Sequence, residues 1–104
     1  MKITLIQDTI TWADKAANLQ KTGEQLATLS GETDLVVLPE MFTTGFCIGK
    51  VQLAETMDGE TVNTLKHWAQ TYQLAITGSF MKKLALNTAI TLILLPVIPL
   101  VRTF

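Results

Sequence analysis

An acidic side chain directly follows an apolar run in the segment "DLVVLPEMFTTGF", residues 34–46. Asp34 to Leu38 are predicted to form a strand covered on both faces, because apolar runs without alternation are typical of such strands. Pro39 ends it by removing a backbone donor. Functional groups of open α/β sheets gather just beyond the carboxyl ends of strands, and Glu40 stands there. Partial shielding from water would make it a better general base; a solvated turn glutamate is the competing interpretation.

The other reactive side chains form no catalytic constellation. Cys47, the single cysteine, excludes a disulfide within the chain and argues against a cysteine metal site. We interpret it as a small hydrophobe, since a lone cysteine more often packs than reacts. His67 is the single histidine, so no Ser–His pair or histidine metal site is predicted. Lys82 and Lys83 are interpreted as solvated, and no cofactor or metal is predicted.

Three apolar side chains beside Glu40 could line a substrate pocket. Phe42 is assigned equally to pocket lining and to core packing. Met41 has the same two interpretations, whereas Phe46 is expected to pack.

Composition limits the class of protein. The chain has 104 residues, 48% of them hydrophobic and 16% charged, which suits one domain with a modest core. With a net charge of -1 and no basic cluster, nucleic acid is a poor candidate partner. The N-terminus lacks the long apolar segment and cleavage site of a signal peptide, so a cytoplasmic protein is expected.

Apolar periodicity predicts a β-α-β-loop-α-β-β order and an α/β fold with a parallel sheet. Thr11, with Asp14 three residues further on in place of the preferred glutamate, is the candidate N-cap arrangement of the first helix, and Gly31 is the candidate for its end. Asp58 or Thr61 could cap the second helix. The predicted elements are a strand at 2–7, a helix at 11–29, strands at 34–38 and 74–80 around a helix at 57–73, and a fourth strand at 87–95.

The segment "DLVVLPEMFTTGF" resembles the first signature of the carbon–nitrogen hydrolase (nitrilase) superfamily, and its "PEMFTTGF" part resembles the omega-amidase branch. The flanks "LIQDTITWADKAANL" and "MDGETVNTLKHWAQTYQLAITGSF" are similar to the surrounding strands and helices of that family. The resemblance covers residues 1–81. It implies an αββα sandwich, with this chain forming its N-terminal part.

The resemblance also implies a Glu-Lys-Cys triad that hydrolyses amides such as 2-oxoglutaramate. Glu40 matches the general base that takes the thiol proton, and the lysine would stabilise the oxyanion. The family's lysine segment and its cysteine strand end have no match in this sequence, and complete members are more than twice as long. We therefore expect the chain alone to be inactive. The resemblance leaves the oligomeric state open, with a homo-oligomer as one alternative for the full-length relative.

Residues 82–104 differ in character from residues 1–81, and they are treated as a separate tail. From Leu84 to Val101 no residue is charged. A membrane helix, the family's fourth strand, and a truncated or frame-shifted sequence are the three interpretations. We favour the last, with the tail still pairing as a strand, because Pro96 and Pro99 interrupt a membrane span. A non-enzymatic α/β interaction module remains the alternative to the hydrolase.

Overall fold

The computed structural model describes residues 1–46, 51–56, 58–83 and 88–95. The elements are β1 (Ile3–Leu5), α1 (Lys15–Leu29), β2 (Leu35–Val37), a 3₁₀ turn (Val51–Leu53), α2 (Glu60–Tyr72), β3 (Ala75–Lys83) and β4 (Thr88–Leu95). This order confirms the predicted β-α-β-loop-α-β-β arrangement. Cys47, Met57, residues 84–87 and the tail after Leu95 lie outside the described residues.

The four strands form one sheet in the order β1-β2-β3-β4. The first three are parallel, with Thr4 opposite Val36 and Val36 opposite Ile76, as the strand–helix–strand pattern predicts. β4 pairs antiparallel with β3 along its whole length, so the expected fourth strand is confirmed. The proposed division between residues 81 and 82 stays a prediction, and β3 runs across it.

Both helices cover the same face of the sheet. Side chains alternate between faces along a strand, and Val36 and Ile76 point to the helical side, where both are fully buried. The core on this side consists of Leu19, Leu26, Val36, Leu38, Phe42, Val62, Leu65, Trp68, Ala69, Leu74, Ile76 and Phe80. The two helices pack closely because Gly23 has no side chain: a Cβ there would lie 3.2 Å from Cζ2 of Trp68.

The opposite face of the sheet is open at its β1 edge. Ile3 and Leu5 point to this face and are 57% and 71% exposed. Their in-register neighbours on β2, Leu35 and Val37, are only partly buried. The described residues therefore form one helical layer and one sheet layer, which are the first two layers of the αββα sandwich that the resemblance implies.

The predicted end of α1 is confirmed, but the predicted starts of both helices are wrong. The N-cap of α1 is Asp14 and not Thr11. Asp14 caps α1 by accepting a hydrogen bond from the Ala17 N–H at 3.1 Å, and Gly31, with a φ of 79°, follows its end. The capping of α2 by Asp58 or Thr61 was a wrong prediction. The N-cap is Gly59, which has no side chain to offer.

The cap of α2 comes instead from Glu55, in the loop that precedes the helix. The Glu55 carboxylate accepts a hydrogen bond from the Thr61 N–H at 2.8 Å and another from the Thr61 hydroxyl. The loop is joined to β3 because the Glu55 N–H donates to the Met81 carbonyl. Within the described residues, no helix combines the length and apolar character needed to span a membrane.

Candidate active site

Glu40 lies at the carboxyl edge of the parallel strands, three residues beyond the last residue of β2. Its side chain is exposed. It makes no hydrogen bond or ion pair to any residue that the structure describes. The partial shielding considered for this carboxylate is therefore not found, because the side chain is exposed to solvent.

The backbone directly after Glu40 has an uncommon conformation. Met41 has a φ of 50°, in the left-handed region that residues with long side chains rarely occupy. Its carbonyl accepts hydrogen bonds from the N–H groups of Thr44 and Gly45, at 3.2 and 2.7 Å. Residues 41–45 therefore form a tight turn that begins directly after the candidate base.

One side of this turn is held by β3. The Met41 N–H donates a hydrogen bond of 2.9 Å to Oγ of Ser79, and both residues are buried. Met41 also packs against Met81, with Leu53 and Ala54 beside them. The buried position of Met41 favours packing over pocket lining.

The other side of the turn is held by α1. Asn18 is buried and donates hydrogen bonds of 2.7 Å to the carbonyls of Thr11 and Thr43. Its Oδ1 accepts from the Thr11 N–H at 2.8 Å. The Ala13 N–H adds a hydrogen bond to the Thr44 carbonyl at 2.8 Å. The turn is thus tied to the loop that precedes α1.

Sequence reasoning missed Ser79 and Asn18 as supports of this turn. Their signal was a polar residue at a position that the element pattern makes buried, and such a residue needs a hydrogen-bond partner. The identity of that partner depends on tertiary structure.

The aromatic side chains near Glu40 divide between core and surface. Phe42 is 2% exposed and belongs to the main core, where its Cε1 would lie 3.3 Å from a Cβ on Gly78. Phe46 is 56% exposed, so the expectation that it packs was wrong. Gly45, with a φ of 73°, ends the turn.

A narrow cleft lies between the loop after β1, α1 and the start of the turn. Ile6, Asn18, Pro39 and Phe42 are among its lining residues, and its volume is about 10 Å³. That volume holds about one water molecule. The cleft is therefore too small to be an amide-binding pocket. At its rim, hydrogen bonds from the Thr9 N–H and the Gln25 side chain lower the pKa of Asp8.

Glu55, unlike Glu40, is partly buried and belongs to a cluster of charged and polar side chains. Lys15 Nζ lies 3.0 Å from Glu55 Oε2, and the Glu55 side chain is 9% exposed. Burial tends to raise the pKa of Glu55, but the hydrogen bonds from Thr61 and the Lys15 charge outweigh this and hold it below the ordinary value. The cluster is a structural ion pair that joins α1, α2 and the intervening loop.

The remaining candidate side chains form no hydrogen bond or ion pair with Glu40 among the described residues. His67 is exposed on α2 and Lys82 is partly buried on β3. No group of three His, Cys, Asp or Glu side chains within the described ranges could hold a metal ion.

Comparison with known proteins gives consistent results. A family model described as carbon-nitrogen hydrolase matches residues 2–95. The omega-amidase YafV of Yersinia enterocolitica is 39% identical over 90 residues, which cover 85% of this chain and 32% of that protein. An (R)-stereoselective amidase of a Pseudomonas species is 38% identical over 82 residues, covering 77% and 30% of the two chains.

A solved structure gives the same result for the fold. A CN-hydrolase superfamily protein from Xanthomonas campestris matches with a TM-score of 0.79 at 33% sequence identity, covering 90% of this chain and 40% of that one. The fold is thus the one found in the N-terminal part of such proteins. The chain spans about a third of the length of the two amidases it matches.

Proposed function

The chain belongs to the carbon–nitrogen hydrolase family, and from this membership we propose that it is part of an amide hydrolase of the omega-amidase type. The proposed substrates are small α-keto acid amides resembling 2-oxoglutaramate, hydrolysed in the cytoplasm. One observation carries the proposal. Within the stretch that matches the family, Glu40 follows Pro39, three residues beyond the end of β2 at the carboxyl edge of the sheet, where α/β enzymes place their reactive groups.

Glu40 is the proposed general base. It would accept the proton of a cysteine thiol, so that the thiolate attacks the amide carbonyl carbon. A lysine would stabilise the oxyanion of the tetrahedral intermediate. The C–N bond would then break as the proton passes to the departing nitrogen, giving ammonia and an acyl-enzyme that water hydrolyses. Phe42 is proposed in a lesser role, supporting the substrate pocket from the core.

The proposal assigns no catalytic lysine or cysteine within these 104 residues. Glu40 alone supplies neither a nucleophile nor an oxyanion partner, and its carboxylate is exposed. We therefore expect the isolated 104-residue polypeptide to release no ammonia from 2-oxoglutaramate. Ammonia release above the buffer rate by the purified chain would contradict this expectation.

A chimera tests the role of Glu40. Residues 2–95 would replace the matching segment of the Yersinia omega-amidase, and ammonia release from 2-oxoglutaramate would be measured. We expect activity in the chimera, and we expect Glu40→Gln to lower kcat about 10²–10⁴-fold, as loss of a general base does. Glu32→Gln is the matched control, since Glu32 is an exposed loop glutamate outside the turn. Equal activity of the Glu40 and Glu32 variants would refute the proposed role.

A non-enzymatic interaction module is the second candidate function. It is favoured by the exposure of Ile3 and Leu5 on the open face of the sheet, because contiguous exposed apolar surface often marks an interaction site. An active chimera that requires Glu40 would favour the hydrolase over this alternative.

A further inference from the structure

Glu40 and Met41 share one peptide group, and a hydrogen bond to its N–H holds that group in place. The six atoms of a peptide unit lie close to a plane. The Met41 N–H therefore lies in the same plane as the Glu40 carbonyl, and its direction sets the ψ angle of Glu40. This N–H points to Oγ of Ser79 at 2.9 Å.

The hydrogen bond holds the backbone where it would not stay unaided. Met41 has a φ of 50°, and a non-glycine residue keeps such a conformation only when its surroundings determine it. Met41 is fully buried, so its N–H needs an acceptor inside the protein. Ser79 supplies that acceptor, while the Met41 carbonyl is used by Thr44 and Gly45.

Ser79 is itself held on a rigid element. It lies in β3, whose backbone pairs with β2 on one side and with β4 on the other. Asn18 holds the far side of the same turn through the Thr43 carbonyl. Rigid supports of this kind are what a catalytic side chain needs to keep its orientation.

From these contacts we propose that Ser79 is a positioning residue, which sets the direction of Glu40 by holding the Glu40–Met41 peptide group. Its importance for catalysis rests on the proposed function of Glu40. The hydrogen bond and its effect on the turn do not rest on it, because both are properties of this chain alone.

Hydrogen–deuterium exchange on the complete 104-residue chain tests the proposal. The exchange rate of the Met41 amide is compared with that of Leu26, a buried residue within α1 that reports opening of the whole structure. We expect Ser79→Ala to raise the Met41 rate about tenfold, the factor that corresponds to loss of one ordinary hydrogen bond, and to leave Leu26 unchanged. Ser79→Thr, which keeps a hydroxyl, should restore the slow rate.

Two control variants make the result specific. Ser30→Ala removes a serine hydroxyl that donates to the Tyr72 carbonyl at 2.9 Å, away from the turn, and should leave Met41 exchange unchanged. Glu40→Gln should also leave it unchanged, since the carboxylate is not part of this hydrogen bond. An unchanged Met41 rate in Ser79→Ala, an equal rise at Leu26, or no rescue by threonine would each overturn the proposal.

The two proposals fail separately. If Met41 exchange behaves as expected but the chimera stays active without Glu40, the proposed function is wrong and the support of the turn by Ser79 stands. If the chimera needs Glu40 but the exchange rate of the Met41 amide does not depend on Ser79, the positioning role is wrong and the proposed function stands.

Discussion

At the scale of single residues, the site is a surface carboxylate on a buried support. Glu40 is exposed, whereas the next four residues, Met41 to Thr44, are all buried. The sequence predicted where the candidate base lies, because Pro39 and the apolar run before it mark the end of a strand. It did not predict the support, because Asn18 and Ser79 lie 25 and 38 positions from the residues of the turn that they bind.

Of the two polar residues that support the turn, Asn18 should cause the larger loss of stability when its side chain is removed. Asn18→Ala deletes three hydrogen bonds and leaves the Thr11 N–H and the Thr43 carbonyl without their partner. Unpaired buried polar groups are expensive, so we expect the free energy of unfolding to fall by about 2–3 kcal/mol. Urea denaturation followed by circular dichroism measures it.

Asn63 provides a matched control for this change. Its side chain is exposed and donates one hydrogen bond, to the Asp58 carbonyl at 2.8 Å. Asn63→Ala should therefore cost well under half as much as Asn18→Ala, since water replaces the lost partner. Similar costs for the two variants would show that Asn18 does not carry the turn.

At the scale of elements, apolar periodicity predicted the order and approximate bounds of the helices and strands named above. It did not predict how each of the two helices begins. α1 begins at Lys15 and not at Thr11, because Ala13 has a left-handed φ of 58° and Asp14 is the cap. α2 is capped by Glu55, which lies outside the helix. Local sequence signals can reveal the first kind of cap, whereas the second exists only once the loop has packed.

The Glu55 cap predicts a dependence of stability on pH. The pKa of Glu55 is lowered in the folded chain from an ordinary value of 4.5, so the folded state favours the charged form. Its contribution to stability is then fully present above about pH 4.5 and is lost as the pH falls through the lower folded pKa. We expect the free energy of unfolding to decline over this acidic range.

A glutamine at position 55 should remove this part of the pH dependence. Glu55→Gln keeps the size of the side chain but loses the charge that pairs with Lys15, and we expect a loss of about 1–2 kcal/mol at neutral pH. Denaturation at pH 7 and pH 3 measures both effects, with Glu32→Gln as the control. The same acid sensitivity in the two variants would rule out Glu55 as its source.

At the scale of the whole molecule, one face of the sheet is covered by the helices and the other is open at its β1 edge. α1 and α2 bury one face of the sheet, while Ile3 and Leu5 remain exposed on the other. The sequence shows only a short apolar alternation here, and it cannot say which face a layer will cover. The open face belongs to the strand at the edge of the sheet, a position where unpaired backbone also favours association.

We therefore predict that the isolated chain associates through this face in a concentration-dependent way. Replacing Ile3 and Leu5 together by threonine keeps β-branched or β-compatible side chains in β1 while removing most of the apolar surface. Sedimentation velocity over a range of concentrations should show association of the unchanged chain and a shift of the double variant toward monomer. Phe46→Ser is the control, because Phe46 is equally apolar and 56% exposed but lies in the loop after the turn. If Phe46→Ser abolishes association and the β1 variant does not, the contact involves the rim beside Glu40 and not the open sheet.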